Sequence, residues 1–299
     1  MATHSLLGVL TSVTPAPGSK PDIYTNEGSL IRQPVGEAAF GGSILSQAIS
    51  AAYATVQPEF DVYSSQSSFL RPVTAKSKVN YHVERTADGR TFCTRAVRAT
   101  QGGPCLYVAT ISFQKRSLAR DNDSTLKYAD PLPDFGGVRP YDIAKQDFQQ
   151  IGFHVGEEDL EVSPPFDWRL LPFKSVRDPA QIRTHAFVRA ELMSTRHASH
   201  LPAMALLSDI SVLELSLFAN WESVHEEIQA LAMSTTLNSQ ISFHAPTAKI
   251  DEWMVCESGT SWAAGGRITI YQRFWNAATG ELLMSCAQDA VIKRQQPQL

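Results

Sequence analysis

The sequence predicts an α+β fold built from two copies of one unit, each an antiparallel sheet packed on a single helix. Two observations predict it. The first is an internal echo: Ser67-Ser68-Phe69-Leu70-Arg71-Pro72 returns as Ile241-Ser242-Phe243-His244-Ala245-Pro246, with Phe69 and Phe243 174 positions apart. Gly89-Arg90 and Gly266-Arg267 keep nearly that spacing, at 177, and Ala109–Lys115 meets Ala287–Lys293 at 178. A nearly constant offset with small insertions marks a duplicated unit. The second is the hydrophobic period, which switches within each copy from helical spacing to strand alternation.

The elements follow in order. Residues 1–39 carry Pro15, Pro17, Gly18, Pro21 and Pro34 and read as loop. Phe40–Val56 places Ile44, Leu45, Ala48, Ile49, Ala52 and Tyr53 at three- and four-residue steps, a helix with one broad apolar face. Val79–Arg85 alternates and stops at Ala87-Asp88-Gly89, a turn signal. Thr91–Thr100 alternates again, turns at Gly102-Gly103-Pro104 and resumes as Cys105–Gln114, completing an antiparallel meander.

Residues 117–150 are polar and rich in Pro, Asp and Gly; they read as a linker, with an edge strand beyond leading into the second unit. Thr184–Leu192 reads as a strand, and His200–Ala219 repeats the helix along Ala203, Leu206, Leu207, Ile210, Leu213 and Leu217. Val255–Glu257, Gly266–Trp275 and Glu281–Arg294 rebuild the meander, with a turn at Asn276–Gly280. The expected organisation is an irregular segment at 1–34, a first unit at 35–116, a linker at 117–150, and a second unit at 151–296 that carries the catalytic residues.

Composition narrows the function. At 299 residues the chain suits about two domains, and 43% hydrophobic with 19% charged residues is an ordinary globular profile. A net charge of −4 leaves no basic footprint for nucleic acid, and no apolar run approaches the ~20 residues that span a bilayer. Cys93, Cys105, Cys256 and Cys286 form no CxxC pair and read as reduced core thiols of a cytosolic protein. Pro297-Gln298-Leu299 only half resembles a peroxisomal address.

Most familiar catalytic signatures are missing: there is no G-x-S-x-G elbow, no P-loop and no Rossmann fingerprint. His197 and His200 form an H-x-x-H without a carboxylate at ligand spacing, so no metal is expected. Asp209 stands out, a carboxylate in the apolar or small-residue run Ala203–Leu213. Such a group is capped, paired or functional. On pattern alone a helix N-cap and a catalytic role are equally good readings. Leu45-Ser46-Gln47 aligns with Leu207-Ser208-Asp209, so the first copy has the neutral Gln47 where the second has a charge. Gln288, aligned with Thr110, and Thr236 are ordinary strand residues by themselves.

Together these residues resemble a known family. Phe40-Gly41-Gly42, Gln47-Ala48, Phe69-Leu70-Arg71-Pro72, Val83-Glu84-Arg85, Asp88-Gly89-Arg90, Phe92 and Ala109–Phe113 look like the first half of type II acyl-CoA thioesterases. Leu207-Ser208-Asp209, Phe243-His244, Asp251-Glu252-Trp253, Gly266-Arg267 and Gln288-Asp289 look like the second half, in the same order. The resemblance implies a double hotdog: two antiparallel sheets, each wrapped around a long central helix, forming a pseudo-dimer within one chain. It implies hydrolysis of acyl-CoA, or a related acyl thioester, to free acid and CoA, with no cofactor. Its catalytic Asp, Thr and Gln fall on Asp209, Thr236 and Gln288.

The departures from the family concern the acyl site. Asn238-Ser239 replaces an Asp-His, Gln66 replaces a His, and Ser68 and Ser242 replace bulky aromatics. Gln66, Ser68, Ser242 and Phe243 are therefore the expected substrate-binding residues, and the paired serines predict a wider crevice for a bulky or branched acyl group. Two other functions share the scaffold. A hydratase needs a His close after its Asp, and none follows Asp209 until His225. A non-hydrolytic acyl-thioester binder fits the altered Asn238, Ser239 and Gln66. The expected partner is the thioester itself, with neither nucleic acid nor membrane, and a homo-oligomer is left open.

Overall fold

The computed structural model describes residues 6–32, 37–119, 126–145, 153–155, 160–162, 165–173, 176–192, 199–210 and 231–294. The first copy runs α1 (Leu6–Thr11), β1 (Val13–Pro15), β2 (Ile23–Asn26), β3 (Ile31–Arg32), α2 (Gly41–Tyr53), β4 (Phe60–Phe69), β5 (Asn80–Asp88), β6 (Phe92–Thr100) and β7 (Cys105–Lys115), closing on the short α3 (Arg116–Ala119). The second runs β8 (Phe153–Val155), β9 (Leu160–Val162), β10 (Phe166–Leu170), β11 (Arg183–Ala190), α4 (His200–Ser208), β12 (Leu231–Phe243), β13 (Met254–Ala264), β14 (Arg267–Asn276) and β15 (Leu282–Arg294).

One twelve-stranded sheet, in the order β1-β2-β5-β6-β7-β4-β12-β15-β14-β13-β11-β10, holds both copies. This corrects the expectation of two sheets. The open edge of each half, β4 and β12, pairs antiparallel with the other, so two edges that would lie unpaired satisfy each other. β3, β8 and β9 form a separate three-stranded sheet.

The α+β class and the antiparallel meanders stand as predicted. The first helix covers Gly41–Tyr53; of the expected His200–Ala219 helix, His200–Ser208 is described and residues 211–230 lie outside the described set. The N-terminal stretch read as loop holds α1, β1 and β2, because Leu7 and Leu10 are fully buried and β1 sits at the sheet edge, where Pro15 is tolerated.

Register gives the duplication its geometry. Gln66 lies opposite Gln240 in the β4–β12 pair, and the two are 174 positions apart, so a pseudo-twofold axis passes between them. Alternation then sets the faces. Ser65, Ser67, Ser239 and Ile241 are buried beneath the helices, while Gln66 and Gln240 are exposed on the outer face. On the far half, the linker segment crosses that outer face: Leu132 and Phe135 pack on Phe187, Val255 and Trp275, and Trp275 Nε1 donates to the Asp130 carbonyl at 2.9 Å.

α2 and α4 pack against each other on the inner face. A methyl group at Gly42 would stand 2.9 Å from the Leu206 carbonyl oxygen and 2.6 Å from the Phe40 ring, so this contact requires glycine.

Candidate active site

Asp209 follows the last turn of α4, where its N–H reaches the Leu206 carbonyl at 3.2 Å; the N-cap reading therefore falls away. The turn points the carboxylate at β12. Thr236 Oγ1 donates to Asp209 Oδ1 at 3.1 Å and also lies 3.3 Å from Gln288 Oε1, while Gln288 Nε2 donates to the Ser208 carbonyl at 2.9 Å. Asp209, Thr236 and Gln288, scattered through the second half of the sequence, form one hydrogen-bonded group. Thr236 and Gln288 are 8% and 2% exposed, in strand positions where a polar side chain is costly unless bonded.

The first half completes the site. The Gly42 N–H, in the first turn of α2, donates to the Asp209 carboxylate. A Cβ at Gly41 would lie 3.0 Å from Asp209 Oδ2 and 3.3 Å from the Phe69 ring. No side chain caps α2, so the positive N-terminal end of its dipole lies at the carboxylate. Loss of hydration nonetheless dominates and raises the Asp209 pKa to about 7, against the opposing bonds from Thr236 and Gly42.

The twin crevice is chemically blank. Ser239 pairs with Gln288 as Ser65 pairs with Ile111, so the strand twin of Gln288 is Ile111, 177 positions away. The alignment with Thr110 was one residue off, and Thr110 is exposed on the opposite face. Thr236 has Val62 as its twin, 174 positions earlier. Gln47 is fully buried, its amide donating to the Leu10 carbonyl at 2.9 Å and accepting from Tyr81 Oη at 2.7 Å. Helix α1 thus fills the first crevice.

The expected substrate-binding residues are placed differently. Ser68 and Gln66 pair with Asn238 and Gln240, and Ser242 with Ser64, all on the outer face. Ser68 Oγ donates to Asn238 Oδ1 at 2.8 Å there. The widened crevice expected from Ser68 and Ser242 therefore does not arise from them. Phe243 is buried on the inner face but lines a small cavity with Val62 and Pro246, on the side of the blank crevice. Its repeat mate Phe69 occupies the matching place beside Asp209. His200 accepts from the Ile250 N–H at 3.3 Å, and His197 lies outside the described residues.

Comparison with known proteins settles the family. Residues 31–114 match the acyl-CoA thioesterase N-terminal domain, and residues 145–292 match the acyl-CoA thioesterase C-terminal domain. The chain belongs to the acyl-CoA thioesterase family. Among curated thioesterases, acyl-coenzyme A thioesterase 8 of Rattus norvegicus is 28% identical over 87% of this chain and 82% of its own length. The peroxisomal acyl-coenzyme A thioester hydrolase 1 of Saccharomyces cerevisiae is 30% identical over 50% of this chain and 42% of its length. An acyl-CoA thioesterase II from Mycobacterium marinum shares the fold with a TM-score of 0.76 at 21% identity, over 98% of this chain and 100% of that one. As an acyl-CoA thioesterase, the chain is a thioester hydrolase acting on acyl-CoA.

Proposed function

We propose that this thioesterase hydrolyses its substrate by direct attack of water, with Asp209 as general base and no covalent intermediate. The observation that carries the reading is the Asp209–Thr236–Gln288 group facing an uncapped helix N-terminus. A carboxylate with a pKa of about 7 is matched to taking a proton from water near neutral pH. Thr236 and Gln288 fix the carboxylate and the line of attack.

The water oxygen bonds to the thioester carbon while its proton passes to Asp209. The carbonyl π electrons move onto oxygen, and the positive N-terminal end of the α2 dipole stabilises that charge. When the tetrahedral species collapses, the C–S bond breaks and the departing sulfur takes the proton back from Asp209. Free acid and CoA leave, and the carboxylate is regenerated. The four free cysteines, three of them buried, suit the reducing cytosol.

The test is thiol release across straight, branched and aromatic acyl-CoAs, run beside enoyl-CoA absorbance. Hydrolysis predicts one thiol per turnover. Loss of enoyl absorbance without thiol would instead identify a hydratase, and neither signal would leave a binder.

A further inference from the structure

Sheet register compares the two crevices position by position. Asp209, Thr236 and Gln288 have Gln47, Val62 and Ile111 as twins, so the productive side is polar wherever its twin is neutral or apolar. Two more positions follow that rule, and both come from the first half. Phe69 pairs with Tyr107 as Phe243 pairs with Met284, which makes Tyr107 the twin of Met284. Ser67 is likewise the twin of Ile241.

Tyr107 is fully buried, yet its hydroxyl has no hydrogen-bond partner of good geometry. Ser67 lies beside it but donates its own proton to the Ser239 carbonyl at 3.2 Å. The Tyr107 ring meets Phe69 edge-on at 5.0 Å, and Phe69 in turn borders Gly41 and the Asp209 carboxylate. A buried hydroxyl held only by a poorly aligned contact with Ser67 costs stability where methionine would not, so its presence on the polar side alone points to a ligand.

We propose that Tyr107, supplied by the first half, is a catalytic residue of the second-half site, its hydroxyl donating a hydrogen bond to the thioester carbonyl oxygen as that oxygen gains charge. The inference rests on the hydrolytic reading of Asp209. Burial raises the phenol's pKa, against an opposing contact with Ser67 and with help from the Asp209 charge, so Tyr107 acts as a donor and not as a base. A carbonyl oxygen turning into an oxyanion needs donors, and Tyr107 adds a side-chain donor to the positive end of the α2 dipole.

The experiment compares wild type, Tyr107→Phe, Tyr107→Met and Asp209→Asn with octanoyl-CoA, following free thiol, pH profile and melting temperature. The expected result for Tyr107→Phe is a kcat loss of about 10²-fold, KM within about twofold, an unshifted pH profile and a melting temperature equal to or above wild type. Tyr107→Met, which installs the twin's residue, should lose as much. If Tyr107→Phe keeps kcat within twofold while Asp209→Asn is inactive, this inference fails and the hydrolytic reading stands. A lowered melting temperature with KM and kcat changed together, or a shifted pH profile, also overturns it in favour of a structural or Asp209-holding role. An active Asp209→Asn would overturn the underlying reading itself.

Discussion

Gln66 and Gln240 face each other across the β4–β12 pair and hold the same place in the two copies of the duplicated unit. An axis through that point exchanges the halves, so each crevice is lined by residues from both. Asp209 from one half meets Gly42 from the other, and Phe69, not Phe243, is the aromatic beside it. One crevice kept polar side chains and the other was filled by α1 and apolar residues.

The rate should follow the ionisation of Asp209. Its carboxyl must be charged to accept a proton, and its pKa is about 7. Accordingly kcat/KM should climb with pH up to about 7 and level off above. A profile flat from pH 5 to pH 9 would contradict the assignment.

The same group makes stability depend on pH. An unfolded aspartate titrates near 3.8, the folded one at about 7, so between these values the folded state retains a proton that the unfolded chain has lost. The unfolding free energy contributed by this group is intact below about pH 4 and declines as pH rises to about 7. Asp209→Asn removes that slope, so the variant should gain on wild type in urea midpoint from pH 4 to pH 8. A difference independent of pH would refute the raised pKa of the half-buried Asp209 carboxyl.

Thr236→Val copies the twin residue Val62, so the strand should accept it. Loss of a hydrogen bond to a charged group, about 1.5–3 kcal/mol, corresponds to about a 10–100-fold loss in kcat/KM. Since the Thr236 bond lowers the Asp209 pKa, the pH profile should also move upward. An unmoved profile would separate Thr236 from Asp209.

Gly42→Ala places a methyl group 2.9 Å from the Leu206 carbonyl oxygen, which backbone cannot easily yield. Overpacking of this kind costs about 1–3 kcal/mol, readable as a lower urea midpoint. An unchanged midpoint would show that the α2–α4 contact is looser than described.

The sequence carried the duplication, both meanders and the first helix, because offset and period survive without coordinates; Asp209 stood out as a carboxylate in an apolar run, whereas Thr236 and Gln288 came only from the family resemblance. Faces did not survive. A one-residue slip exchanges the two sides of a strand, which is how Gln288 was matched to Thr110 and not Ile111. The same parity sent Ser68 and Ser242 to the outer face, while Ser67 and Ser239 face the helices. Pairing of β4 with β12 across 172 or so residues left no local trace, since both strands read as edges. Gly41 and Phe69 lie in the motifs that carry the resemblance, but only the twofold axis shows that first-half residues serve the second-half aspartate.

In the proposed mechanism the Asp209 carboxylate takes the proton of the attacking water. The most direct test of that step is the kcat of Asp209→Asn for thiol release from an acyl-CoA that wild type hydrolyses, on protein shown to be folded. The expected result is a fall of about 10²–10⁴-fold. A variant turning over within tenfold of wild type would contradict it.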